Sequence, residues 1–222
     1  MSFRIGVVCE GSHDFIVIRE LLARLFADGG IANVLVDPLQ PAIDATSKQV
    51  DGGGWAAVTG WCKRNCGEAW RVFFDEPLFA NSPRYDLIVV HLDGDVLEVS
   101  NKFSPAQRRA VGGSTVRRVG VVSDWITGLL SLPLGCKQTL VTAVPTLHME
   151  SWLLAGLVPD ATNVEARACK GRVKQLLRRR FQGNPASQVS QAAALTCQSL
   201  GVVRAACASF RQFDRQVQAV LA

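Results

Sequence analysis

Apolar runs alternate with amphipathic stretches along roughly the first two-thirds of the chain, after which amphipathic stretches continue alone. Phe3 to Cys9 is mostly apolar and predicts a first strand. Behind it Phe15, Ile18, Leu22, Leu25 and Phe26 recur at helical spacing, with Ser12 as a natural N-cap and Gly29-Gly30 as the stop. Glu20 and Arg24 lie off that stripe in the favourable i,i+4 order. Ile31 to Val36 reads as a second strand stopped by Pro38, and residues 37–54, with Pro38, Pro41 and Gly52-Gly53-Gly54, read as a long loop. Trp55 to about Arg71 predicts an amphipathic helix, and Pro77 and Pro83 break any regular element after it. The run Asp86 to Leu92 is apolar at Leu87 to Val90 and at Leu92, as expected of a strand buried on both faces. The chain is then polar and glycine-bearing up to Gly113. Ser114 to about Leu130 predicts a helix, Gln138 to Val144 a fourth strand closed by Pro145, and everything from Thr146 onward reads as helical.

Strands alternating with helical segments predict an α/β fold, with a parallel sheet of about four strands, right-handed crossovers and helices on both faces. A helical C-terminal extension follows, with Pro159-Asp160 as the natural division between an α/β domain over 1–158 and an extension over 159–222.

In such a fold ligands sit beyond the carboxyl ends of the strands, so the acids found there matter most. The central strand ends in Asp93-Gly94-Asp95, two carboxylates one residue apart that an extended chain aims the same way. A hard divalent cation is the simplest group to hold them together, although Asp-Gly-Asp is also ordinary turn chemistry. The first strand ends in Glu10-Gly11-Ser12-His13-Asp14, which brings Glu10 to the same sheet edge. Asp14 falls in the first helical turn, where the helix dipole alone would justify an acid. After the fourth strand, Glu150 is the one charged side chain in an apolar helix, and either a site role or capping accounts for it. The three histidines each stand beside one of these acids: His13 before Asp14, His91 before Asp93, His148 before Glu150. Each reads as a ligand, a proton shuttle or a hydrogen-bonded core residue.

Charge changes the picture in the last third. Residues 1–150 hold 14 Lys+Arg against 16 Asp+Glu, whereas residues 151–222 hold 10 against 3. That basic excess points to a polyanionic partner, nucleic acid above all, with Lys170, Arg172, Lys174, Arg178, Arg179 and Arg180 (and Arg167 before them) as candidate phosphate contacts. The competing reading is the solvated face of an amphipathic helix whose apolar stripe is Val173, Leu176, Leu177 and Phe181. The seven cysteines are scattered and odd in number and include no C-x-x-C pair, so they read as small buried residues in a reducing compartment. The N-terminus turns acidic too early for a signal peptide, and no apolar run is long enough for a membrane span, so a cytoplasmic location is expected.

A strand ending in Glu10-Gly11-Ser12-His13-Asp14 and a later strand ending in Asp93-Gly94-Asp95 together resemble the signature of the Toprim domain. The segment Pro145 to Ala155, with Glu150-Ser151-Trp152-Leu153-Leu154-Ala155, looks like the third acidic motif of stand-alone Toprim-like proteins related to OLD nucleases. The resemblance covers about residues 3–156 and implies a Toprim/Rossmann-like sheet carrying a Mg²⁺- or Mn²⁺-dependent phosphoryl-transfer site. By the same resemblance, Glu10, Asp93, Asp95 and Glu150 would be catalytic, and Glu10, Asp14, Asp93, Asp95 and Glu150 would bind one or two metal ions. The expected activity is a nuclease acting on DNA or RNA. The alternative is a non-catalytic nucleic-acid-binding or regulatory module. No G-x-x-x-x-G-K-[ST] occurs, so the ATPase found with Toprim in OLD proteins would have to be a separate partner chain. The single tyrosine, Tyr85, lies just ahead of a core strand, which argues against a topoisomerase. No lysine or arginine is identified that would stabilise a transition state.

Overall fold

A computed structural model of the protein describes residues 2–41, 53–75, 83–158, 160–166 and 169–222. Four parallel strands form one sheet: β1 (Phe3–Val8), β2 (Val34–Gln40), β3 (Leu87–His91) and β4 (Leu140–Ala143), in the order β2-β1-β3-β4. The helices are α1 (Ser12–Asp28), α2 (Trp55–Arg64), α3 (Val96–Val99), α4 (Pro105–Val111), α5 (Thr115–Leu130), α6 (Glu150–Leu157), α7 (Lys170–Arg180), α8 (Pro185–Gln198), α9 (Leu200–Ala206) and α10 (Ala208–Leu221). This is the α/β architecture expected, a parallel sheet followed by C-terminal helices.

The period-two alternation of the strands divides the interior into two layers. Ile5, Val7, Leu87, Val89, Val141 and Ala143 face α1, α6 and the C-terminal helices. Val8, Ile88 and Val90 face α2 and α5 with Trp61, Trp70 and Ile126. With both faces covered, β3 is apolar from Leu87 to Val90, and all five of its residues, His91 included, are buried. The C-terminal helices share the first of these clusters, contributing Val173, Ala192, Val203, Phe210 and Phe213. Trp152 of α6 stacks on Phe213 at 5.5 Å and donates its indole N–H to Ser209 Oγ. The open edge of β4 is covered by α10, where the Gln216 amide accepts from Thr142 N–H (3.0 Å) and donates to Thr142 C=O (3.2 Å). A side chain thus supplies the hydrogen bonds of a missing neighbouring strand.

Several local expectations are corrected. β2 runs through Pro38 instead of stopping before it, because β2 is an edge strand paired only with β1, and an edge tolerates a missing N–H. Gly11 is the N-cap of α1, since the chain stays extended through it and Ser12 is already in the first turn. The i,i+4 ion pair formed on α1 is Arg24 with Asp28 at 2.9 Å, in the less favourable base-before-acid order, and Glu20 pairs with Arg19 instead. The helix predicted over Trp55 to Arg71 is two elements: α2 ends at Arg64, and Gly67, in the left-handed region at φ 58°, starts a 3₁₀ segment, Gly67–Phe73. The stretch after Asp95 contains α3 and α4, the latter begun by a capping box between Ser104 and Gln107 with Pro105 at its first position. Most of the loop expected over 37–54, along with Pro77, Pro159 and Arg167, lies outside the described residues.

Candidate metal centre

Strand order places the topological switch point between β1 and β3, since the chain leaves β1 toward β2 on one side and reaches β3 on the other. Glu10 and Asp93 emerge there side by side, and Glu10 Oε1 accepts the Asp93 N–H at 2.8 Å. The Asp93-Gly94-Asp95 turn is then laced to the loop after β4. Gly94 N–H donates to Pro145 C=O (3.0 Å) and Asp95 N–H to Leu147 C=O (3.2 Å). This explains the glycine between the two acids, because a Cβ at position 94 would sit 2.1 Å from Thr146 O and 2.6 Å from Pro145 O. On the other side Arg118 of α5 donates to Gly94 C=O at 3.0 Å while held by both carboxylate oxygens of Glu98.

The lacing delivers the segment before α6 to the acids. Met149 N–H donates to Asp93 Oδ1 at 3.0 Å, and His148 Nδ1 lies 3.4 Å from Asp93 Oδ2 and 3.3 Å from Asp95 Oδ2. Asp93, Asp95 and His148 each offer a ligand atom, and the three atoms lie within 4.8 Å of one another. Two carboxylates and an imidazole form a donor set that can hold a divalent cation.

Two further cations approach Asp93. Lys170 Nζ, at the start of α7, is 3.2 Å from Asp93 Oδ2. His91 is fully buried with Nε2 3.4 Å from Asp93 Oδ1, too poorly aligned for a hydrogen bond. Burial alone would raise the Asp93 pKa. Contact with His148, then His91 and Lys170, overrides it and holds this carboxyl well below the usual range. For Glu10 the balance goes the other way: burial, then repulsion from Asp93 and Asp14, pushes it up to about 7 against the pull of His91 and of the Asp93 N–H. Asp14 rises to about 6, from burial first and then the charges of Asp93 and Glu150. Burial and the Asp93 charge also raise Asp95. Burial opposes the charged form of His91, but Asp93, Asp14 and Glu10 together lift it to about 9. Contact with Asp93 raises His148, against burial and the Lys170 charge. One strongly ionised carboxylate therefore sits beside two acids, Glu10 and Asp14, that hold their protons to higher pH than usual.

Of the acids expected to bind metal, Asp93 and Asp95 belong to the three-residue cluster, and Glu10 is joined to it through the Asp93 backbone. Asp14 and Glu150 stand together on the flank of the site, where each faces a neighbouring cleft. His148, which the sequence offered only as one of several roles, is the third member of the cluster. Lys170, expected among the phosphate contacts, rests its ammonium on Asp93. Arg172, Lys174, Arg178 and Arg179 are exposed on α7, while Arg180 is tied into the fold by donating to Leu157 C=O at 3.1 Å. Among the described residues no helix is long and apolar enough to cross a membrane. Comparison with protein-family models, with curated proteins and with solved structures finds no match for this chain.

Proposed function

We propose that the protein is a Mg²⁺- or Mn²⁺-dependent phosphoryl-transfer enzyme, a nuclease acting on DNA or RNA phosphodiesters in the cytoplasm. The observation that carries this reading is the meeting of Asp93, Asp95 and His148 at the carboxyl edge of a parallel sheet, with Glu10 bonded to the same turn. The motif order that resembles Toprim and OLD nucleases supports it, and seven cysteines without a disulfide fit the compartment. A bound divalent cation would supply Lewis-acid stabilisation of phosphate oxygens and a more acidic bound water. Asp93, ionised and fixed by the Met149 N–H, is the natural anchor for that cation. Glu10, poised near neutrality, suits a group that takes up and returns a proton during hydrolysis. Lys170 supplies the cation that the sequence alone did not identify, within reach of charge developing on a phosphate.

The same Lys170 contact favours a second reading. An ammonium already paired with Asp93 neutralises part of the acid cluster without metal, as suits a non-catalytic nucleic-acid-binding module that works with a separate ATPase. Hydrolysis of single- and double-stranded DNA and RNA by the purified chain with Mn²⁺ separates the two. Asp93→Asn should abolish both Mn²⁺ binding and cleavage. Glu10→Gln should keep Mn²⁺ binding and reduce turnover by at least about a hundredfold. Wild-type cleavage in both variants would place the activity elsewhere, and nucleic-acid binding with no Mn²⁺ binding and no cleavage would establish the module.

A further inference from the structure

Beside the acids, α1, α6, α7 and α8 enclose a cleft of about 390 Å³. Its apolar lining is Val17, Met149, Leu153, Val173, Leu177 and Val189, supplied by all four helices and all buried. Asp14 and Glu150 close the end nearest the metal cluster, while Lys170, Lys174 and Arg178, spaced i, i+4 and i+8 along α7, form one wall. Among the described residues Lys174 and Arg178 have neither an ion-pair nor a hydrogen-bond partner, although both line the cleft and the chain elsewhere pairs Arg24, Arg118 and Arg204 with acids.

We propose that this cleft is a subsite for one unpaired nucleotide of a single strand, its nucleoside on the apolar lining and its phosphates along the Lys170–Lys174–Arg178 stripe. Three cations on one wall call for an anion, and the six aliphatic and thioether side chains call for an apolar body attached to it. The volume lies near the lower end of the roughly 300–1,000 Å³ usual for small-molecule sites, room for a base with its sugar and too little for a duplex. Lys170 fixes the polarity of the occupant, because its ammonium touches Asp93 and therefore lies where cleft and metal cluster meet. A phosphate held there is presented to Asp93, Asp95 and His148 while the base points away from them. The apolar lining offers van der Waals contact, and the amide N–H of Gln188 in the cleft wall is already given to Phe181 and Gly183 C=O, so the subsite accepts the bases with little preference. The substrate class follows as single-stranded nucleic acid, entered through an unpaired nucleotide.

This inference rests on the phosphodiester reading, and its test separates the two. Binding of dAMP, adenosine, inorganic phosphate and butyl phosphate is measured by calorimetry in chelator, on the wild type and on Asp93→Asn. dAMP should bind roughly tenfold tighter than either adenosine or phosphate, with dTMP within a few-fold of it. Lys174→Ala with Arg178→Ala should weaken dAMP about tenfold, the worth of two solvent-exposed ion pairs. Gly171→Trp, an exposed substitution at the cleft wall where a new Cβ meets nothing within 4 Å, should block dAMP and leave Mn²⁺ binding intact. No saturation at millimolar dAMP, or butyl phosphate binding as tightly as dAMP, overturns the subsite. dAMP binding in a protein that ignores Mn²⁺ keeps the subsite and sinks only the metal reading.

Discussion

Gly94→Ala is the smallest change that tests how the site is held together. The added Cβ would meet Thr146 O at 2.1 Å and Pro145 O at 2.6 Å, whereas an ordinary carbon–oxygen contact is about 3.3 Å. Strand end and loop must therefore part by about 1 Å, and neither obstacle is a side chain that could rotate away. That parting stretches the Gly94–Pro145 and Asp95–Leu147 hydrogen bonds, now 3.0 and 3.2 Å, at a net cost of about 1 kcal/mol each. Adding about 1–3 kcal/mol for overpacking gives an expected loss of roughly 3–5 kcal/mol in urea unfolding. The same parting separates Asp93 and Asp95, on one side of the seam, from His148 on the other, so Mn²⁺ affinity should fall by about a hundredfold or more. Gly120→Ala is the control. It lies inside α5 with nothing within 4 Å of a new Cβ, and should raise stability by about 0.5–1 kcal/mol with unchanged Mn²⁺ affinity. A Gly94→Ala protein with wild-type stability and Mn²⁺ affinity would refute the view that the seam positions the cluster.

Two other perturbations probe the buried charges around that seam. Glu165 is buried and accepts from Thr146 Oγ1, from the Ala208 and Ser209 backbone N–H groups and from Ser209 Oγ, so it caps α10 and ties it to the loop after β4. Glu165→Gln turns an acceptor toward these donors into a donor and should cost about 3 kcal/mol in thermal or urea unfolding, with a loss under about 0.5 kcal/mol counting against this role. The cation-free protein should be more stable near pH 5 than near pH 8. Glu10 rises from 4.5 to about 7 and Asp14 from 3.8 to about 6, so the folded state binds the extra protons and stability falls as pH climbs through those windows. His91 adds stability that is complete below about 6.5 and lost as pH rises through about 9. A melting temperature that stays flat or rises from about pH 5 to pH 8 without cation would contradict the burial of these groups.

The sheet was legible because strand and helix signals coincide with burial. Leu87 to Val90 carry no polar residue, and only a strand covered on both faces needs that. The stripe Phe15, Ile18, Leu22, Leu25 and Phe26 is buried in α1 as its spacing predicts. Errors fell where tertiary position overrides local chemistry. Pro38 reads as a terminator, and only knowing that β2 has one neighbour reveals that the strand can carry a missing N–H. The α4 start was legible in principle, since Ser104-Pro105-Ala106-Gln107 is a capping box with proline at the first helical position. Its polar surroundings masked an element that buries only Val111.

Site residues divide along the same line. Asp93 and Asp95 were readable because a strand end aims i and i+2 together, and Glu10 because parallel strands end at a common edge. His148 and Lys170 were not, for a reason that periodicity cannot supply. His148 precedes α6 and is placed by the seam to Gly94, so its partners are set by backbone hydrogen bonds spanning more than fifty residues. Lys170 belongs by sequence to a basic helix, and its ammonium reaches Asp93 only because α7 packs beside α6 and α8, with Val173 and Leu177 in the core. The packing of α7 thus has a chemical consequence. The residues that seat it in the core also set the distance between the cationic stripe and the acids. A change at Val173 or Leu177 would therefore alter the charge balance at Asp93 without touching any charged group.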